Sequence, residues 1–279
     1  MGLQGSFLYF LSAVLFCVSL SWSNPLGFWL CLEGAGLVLI VGFFKYSSSN
    51  NRYLSLLVYL LISGVSSGML YLGLLNPDLG FVGIAGFGVK AGLLPFTSWL
   101  YAVYSNIPWS MLYFVAVISK ASFLYLPTLL PHSLAIEISA LCCASLLLCG
   151  LHMWYCVGNL KGFIAYSSIG SSVVLFYLCT GGYSMSIWLY LSYGLSQLMT
   201  FSVLWAAEGP LLGGGQSVLL LFTATGAPVA VSFIYKALTI VALSDFSVSV
   251  VLCWVIFGFL EQLYLSLFLL EKVCSVAAR

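Results

Sequence analysis

The chain has 279 residues, 62% of them hydrophobic and only 5% charged, with a mean hydropathy of +1.14 and a net charge of +1. A soluble domain carries about 25% charged residues, so no water-facing surface can be built from this sequence and its solvent is lipid. The small net charge, with no basic run, excludes a nucleic-acid surface.

In lipid every backbone N–H and C=O must find its partner inside the protein. Long unbroken apolar runs meet that demand as helices rather than as alternating barrel strands. A crossing needs about 20 apolar residues. Polar or turn-forming breaks fall at Ser21–Asn24, Lys45–Arg52, Asn76–Asp78, Ser105–Pro108, Pro131–Ser133, Gly158–Lys161, Gly181–Ser184, Glu208–Gln216 and Ser244–Phe246. They leave ten segments: 3–20, 25–44, 54–75, 79–104, 109–130, 134–157, 162–180, 185–206, 217–243 and 247–270. The expected fold is all-α, a polytopic transmembrane helix bundle of ten spans forming one domain over 1–279. The opening stretch MGLQGSFLYFLSAVLF lacks a positive flank and a cleavage site, and reads as a first span rather than a signal peptide. It also lacks an Arg-rich amphipathic presequence, as expected of an organellar chain made inside its organelle.

Ten spans put both termini on one side, together with Lys45, Arg52, Lys161, Lys272 and Arg279. The opposite loops hold no Lys or Arg, so the positive-inside rule makes the basic side the cytoplasm or matrix. The fourth segment, 79–104, is long and carries Pro95; the ninth, 217–243, is long and carries Pro228. Proline removes a helix hydrogen bond and kinks or breaks the helix. These are the fourth members of two five-helix halves, 1–130 and 134–270, and an odd number of spans per half gives the halves opposite orientation. Broken helices at matching places of inverted halves point to an ion or substrate site near the membrane midplane.

Most charges sit in loops or at segment ends, where anchoring at the interface explains them. Five do not: Glu33 in FWLCLEGAGLVLI, Lys90 in FGFGVKAGLLPF, Lys120 in LYFVAVISKASFLYL, Lys236 in GAPVAVSFIYKAL and Glu261 in FGFLEQLYL. A charge at the bilayer centre costs about 3 kcal/mol on insertion scales. A static Glu–Lys pair tying two helices together is one reading. Three lysines against one or two carboxylates cannot all be static pairs, which favours a proton path. Desolvation favours the neutral form of either side chain and an opposing charge restores the ionised one, so a buried lysine beside a glutamate can trade its proton.

No other chemistry stands out. The cysteines form no CxxC pair and read as small core residues. His132 and His152 lack a second ligand at helical spacing, so zinc, haem and iron–sulfur ligation have no support. GFGVKAG lacks the spacing of a dinucleotide loop, and its Gly88 and Gly92 read as a GxxxG helix-packing pair.

Five blocks carry a family resemblance. They are WSNPLGFWLCLEGAG with Glu33, FGVKAGLLPFTSWLYAV with Lys90 and Pro95, VISKASF with Lys120, NLKGFIAYSSIG with Ala165 to Ile169, and GAPVAVSFIYKAL with Gly226, Pro228, Phe233 and Lys236. Their content and order resemble the subunit 2 family of mitochondrial NADH dehydrogenase (respiratory complex I), antiporter-like subunits related to cation/proton antiporter subunits. The resemblance covers about residues 20–240. It implies a proton-translocating subunit in the mitochondrial inner membrane, coupled to redox chemistry elsewhere. Glu33 and Lys90 would be a coupled pair, Lys120 the central relay lysine, and Lys236 the group that passes the proton on. It implies no cofactor on this chain; NADH, FMN, iron–sulfur clusters and ubiquinone would belong to other subunits. Its partners would be other membrane-arm subunits, including neighbouring antiporter-like ones, and membrane lipids. Full-length family members have fourteen spans and those of many animals lack the first three, so ten spans would also lack the last. The sequence departs from the family at Thr97 and Ser98, where a His-containing sequence is common, and at Gly170–Ser171–Ser172, which replaces His–Met. Glu261 has no counterpart. A stand-alone or Mrp-like cation/proton antiporter subunit and a structural membrane-arm spacer remain alternatives.

Overall fold

The apolar runs of the sequence become helices wherever the backbone can satisfy itself. The structure, a computed structural model, describes residues 3–22, 24–45, 51–128, 135–156, 158–182, 185–206 and 231–277. Helix α1 spans Leu3–Ser21, α2 Pro25–Lys45 and α3 Asn51–Leu75, followed by a 3₁₀ turn at Pro77–Leu79. The fourth segment is two helices, α4 Gly80–Ala91 and α5 Ser98–Asn106. The fifth is α6, Trp109–Ala116, running into a 3₁₀ segment, Ile118–Thr128. Then come α7 Ala135–Cys156, α8 Leu160–Thr180, α9 Ser186–Ala206, α10 Val231–Ser244 and α11 Val248–Ala277. There is no strand among the described residues. Among the described residues five helices are long and apolar enough to cross a membrane: Tyr53–Leu75, Ile138–Tyr155, Leu160–Thr180, Ser186–Leu204 and Val248–Phe268. The remaining apolar helices are shorter. Pro131, Glu208–Gln216 and the expected break at Pro228 lie outside the described residues.

Helix α8 is the axis of the bundle, buried along nearly its whole length. It packs against α7, α5 and the 3₁₀ segment. The outer helices turn Leu61, Tyr155, Leu195 and Phe259 outward, as a lipid-facing surface requires. Lys161, at the start of α8, donates to the Ile107 carbonyl at 2.7 Å, so the 105–108 and 158–161 loops meet at one end of the bundle. At the other end the Tyr177 hydroxyl donates to Ser247 Oγ at 3.1 Å.

Each interruption of a helix is repaired by side chains. Helix α4 ends with Gly92 at φ +73°, where the N–H of Gly92 donates to Val89 O at 3.1 Å and that of Leu93 to Gly88 O at 2.9 Å. This is a Schellman cap, which needs the left-handed conformation that glycine adopts at least cost. The indole of Trp99 also donates to Val89 O, at 3.0 Å, and the N–H of Leu94 to Ser145 Oγ on α7, at 3.3 Å. The chain therefore breaks at Gly92, ahead of Pro95, which lies in the linker between α4 and α5 behind a cis peptide bond. Gly88 and Gly92 do not pack two helices together as GxxxG: Gly92 is the cap. Close helix contact comes instead from Gly73 and Gly86, where an added Cβ would meet Gly83 Cα at 2.5 Å and Ser66 O at 2.7 Å.

The second interruption was not expected. After Ala116 the backbone tightens from α to 3₁₀, with Val117 at φ −115° and ψ −59°. The Tyr193 hydroxyl on α9 donates to Ala116 O and that of Tyr190 to Val117 O, both at 3.2 Å. Ser119 Oγ donates to Val115 O at 2.6 Å, so hydroxyls compete here for the carbonyls a regular α-helix would use.

Replacing Gly92 by Ala should destabilise the protein by more than about 1 kcal/mol, because φ is positive and the new Cβ would collide with Leu100. Gly68→Ala, with open space around it inside α3, should be neutral or stabilising. Thermal unfolding of both variants in detergent checks the pair; a Gly92→Ala protein as stable as the parent would overturn the cap assignment.

Candidate functional site

The interruptions place the buried charges. Lys90 sits in the last turn of α4, one residue before its end, and Lys120 is the third residue of the 3₁₀ segment. Glu33 is on α2, Lys236 on α10 and Glu261 on α11.

Lys120 is buried and surrounded by neutral groups. Its Nζ donates to Ser168 O at 2.7 Å, Tyr193 OH at 2.8 Å and Ser171 Oγ at 3.0 Å, and lies 4.5 Å from the centre of the Tyr193 ring. An ammonium has three protons to donate and here finds three acceptors. Two of those acceptors are hydroxyls whose own protons rest on carbonyls, Tyr193 on Ala116 O and Ser171 on Ser168 O; either could donate to a neutral amine by rotating off the carbonyl it now holds. The cage therefore fits both protonation states without moving a helix. Ser171 stands in the stretch where the resembled family has His–Met, so the departure noted in the sequence is filled by a ligand of Lys120.

Lys236 is handled in the opposite way. Its Nζ lies 2.7 Å from Glu261 Oε2, and the two side chains are 16% and 10% exposed, so the pair is largely removed from solvent. Ser167 donates a short hydrogen bond to Glu261 Oε1. Thr239 and Trp254 hold α10 against α11, with the Trp254 indole donating to Thr239 Oγ1 at 3.0 Å. Glu261, which the sequence left without a role, is the counter-ion of Lys236.

Glu33 and Lys90 are both half-buried and within electrostatic range of each other, without closing an ion pair. Tyr59 on α3 also lies within range of Glu33. Lys90 and Lys120 line one cavity of about 30 Å³, shared with Tyr59, Tyr104, Ser66, Ser119 and Ser172. On the far side of the Lys120 cage, Ser171 and Tyr193 line a second cavity of about 50 Å³, whose wall also includes Lys236 and Glu261. At roughly 10–15 Å³ per water these spaces have room for a few molecules each, and the hydroxyls and amines on their walls could partner them. Tyr104 ties the first cavity to the cage through a 3.0 Å hydrogen bond with Ser168 Oγ.

The structure thus sets Glu33 near Lys90, puts Lys90 and Lys120 on one cavity, and puts the Lys236–Glu261 pair on a second cavity that two ligands of Lys120 also line. Sequence reasoning missed Ser168, Ser171, Tyr193 and Tyr104. A faint signal was present: AYSSIGSSVV sets serines at helical i, i+3 and i+4 spacing, which puts several hydroxyls on one side of α8.

Residues 79–210 match the family model described as NADH:quinone oxidoreductase/Mrp antiporter, transmembrane. No curated protein matches the chain in sequence. Among solved structures, a chain of respiratory complex I from Thermus thermophilus with bound aureothin superposes with a TM-score of 0.76 at 21% identity, over 94% of this chain and 69% of that one. A chain of the membrane-bound sulfane sulfur reductase, an archaeal respiratory membrane complex, superposes with a TM-score of 0.74 at 18% identity, over 88% of this chain and 61% of that one. The chain shares its fold with chains of these two respiratory membrane complexes, and it is an integral membrane protein.

The ion pair makes a quantitative prediction. Lys236→Met should destabilise by about 3 kcal/mol, because it strands a buried carboxylate. The double variant with Glu261→Gln should recover part of that loss, with a coupling energy above about 1 kcal/mol. Unfolding free energies of the two single variants and the double variant measure the coupling; strictly additive losses would remove the pair as a structural unit.

Proposed function

We propose that this chain is a proton-translocating membrane subunit of a respiratory NADH:ubiquinone oxidoreductase, in which protons move along Glu33, Lys90, Lys120 and Lys236. The observation that carries the reading is Lys120: a buried lysine held by one carbonyl and two hydroxyls rather than by a carboxylate, lining one cavity itself and reaching a second through its ligands Ser171 and Tyr193. A lysine meant only to tie helices together would be fixed by a carboxylate, as Lys236 is. Glu33, set near Lys90 without contact, is positioned to tune the charge of that lysine as its own protonation changes.

In this reading ten crossings form two inverted five-helix halves, 1–130 and 134–270, in the mitochondrial inner membrane. Flavin and iron–sulfur clusters would sit in other subunits, where electrons would pass from NADH to quinone, and the released energy would reach this chain through neighbouring membrane-arm subunits. The family description and the two respiratory complexes support that setting. The Mrp half of the same description favours a cation/proton antiporter subunit as the second reading.

Lys120→Met and Glu33→Gln, each in the assembled complex in sealed vesicles, should reduce the protons moved per NADH oxidised while the complex stays intact. Unchanged stoichiometry in both would sink the relay. Purification of the chain without any NADH-oxidising partner would favour the antiporter. For the topology, single cysteines placed at Arg52 and Asp78 should label from opposite sides of the membrane, and labelling from the same side would break the ten-crossing arrangement.

A further inference from the structure

The 50 Å³ cavity contains one group that the relay has not used. Tyr235, next to Lys236 on α10, is only 4% exposed, and its hydroxyl has no hydrogen-bond partner among the described residues. Its ring is held in place, packed against Tyr193 at 5.2 Å between centroids and against Trp254 at 6.4 Å. Leaving a buried hydroxyl unpaired is costly, and such groups are ordinarily met by ordered water when the space is polar and large enough. Here it is both: Tyr235 shares the cavity with Ser171, Tyr193, Ser196, Lys236 and Glu261. Tyr193 belongs to the Lys120 cage, and Glu261 belongs to the Lys236 ion pair. The Tyr193 and Tyr235 phenols are both within electrostatic range of Glu261.

We propose that Tyr235 anchors a water cluster in this cavity and transfers protons through its hydroxyl between the Lys120 cage and the Lys236–Glu261 pair. The assignment rests on the relay reading above and adds the group that bridges its two kinds of lysine site. The need for a bridge is physical. Lys120 and Lys236 do not touch: the Lys120 Nζ is held by Ser168, Ser171 and Tyr193 and the Lys236 Nζ by Glu261, so a proton passing between them must cross the cavity. A phenol both donates and accepts. In one transfer a protonated water on the Tyr193 side gives its proton to the Tyr235 oxygen as the phenol releases its own to a cavity water or to Glu261. Two O–H bonds break, one in the protonated water and one in the phenol, and two form, on the Tyr235 oxygen and on the acceptor; Tyr235 is restored when the hydroxyl rotates back. When Glu261 receives the proton, its pair with Lys236 loosens, and Lys236 can release a proton in turn.

The test is Tyr235→Phe, which removes one oxygen and leaves the ring, in the assembled complex. Proton translocation should slow about tenfold, on the scale of losing a positioned acid–base group, while the melting temperature stays close to that of the wild type because the ring keeps its packing against Tyr193 and Trp254. A purely structural tyrosine would shift the melting temperature and leave translocation unchanged, which would overturn the proposal. Hydroxyl-radical footprinting in ¹⁸O water gives a readout free of activity: buried water should label Tyr235 and Trp254 in the wild type, and the label on Trp254 should fall in Tyr235→Phe. Absence of label in the wild type overturns the proposal even if the variant does not assemble. Lys120→Met separates the two levels. If it and Tyr235→Phe both translocate normally, the relay itself fails; if only Tyr235→Phe does, the relay stands and the hand-off fails.

Discussion

Lipid offers a polypeptide no hydrogen bonds, so any backbone group that leaves a helix here must be met by another part of the chain. At the first interruption the indole of Trp99 meets Val89 O and the hydroxyl of Ser145 meets the N–H of Leu94. At the second, Tyr193 and Tyr190 meet the carbonyls of Ala116 and Val117. The repair groups and the site groups overlap, because Tyr193 is also a ligand of Lys120. The break in the helix and the position of the charge are therefore one arrangement. A regular α-helix through Ala116 would turn Lys120 to a different azimuth and leave the Tyr193 hydroxyl without its acceptor.

The same scarcity of partners shapes how the lysines are buried. A buried charge must be paired or surrounded by oriented dipoles. Lys236 takes the first solution, a 2.7 Å contact with Glu261 that makes removing either partner alone expensive. Lys120 takes the second, with one carbonyl and two hydroxyls that can reverse their roles. Along the proposed relay the low-resistance site lies at the centre and the ion pair at the end. Energy arriving from elsewhere in a complex would have most to do at the pair, and least at the cage.

Much of this was legible in the sequence. Charge scarcity pointed to lipid as the solvent, isolated ionisable residues marked the interior, and the breaks between apolar runs lie near most described helix ends, although the last helix runs on to Ala277, past the expected 270. Pro95 announced an interruption in the fourth segment. It did not identify the residue that ends the helix, because Gly92 acts through a positive φ, which depends on the whole cap. Serine ligands were illegible for a different reason. Ser12, Ser19 and Ser66 satisfy themselves on carbonyls three residues back in their own helices. Ser171 does the same with Ser168 O and in addition accepts from Lys120. Nothing local distinguishes them. Glu261 needed the packing of α10 against α11, a relation between residues 25 positions apart that no period reveals.

Helix α8 joins what the sequence kept separate. Ser167 holds Glu261, while its neighbour Ser168, with Ser171 one turn on, holds Lys120. Successive residues on a helix point about 100° apart, so one short stretch of α8 faces the ion pair on one side and the cage on the other. Buried along its length, α8 cannot slide or rotate without disturbing both ligand sets at once. A shift that lengthened the Ser167–Glu261 bond would alter the Ser168 and Ser171 contacts with Lys120 in the same movement. Coupling between the two lysine sites thus needs no wire of intermediate residues: a rigid element with ligands on two faces is a sufficient physical carrier for it.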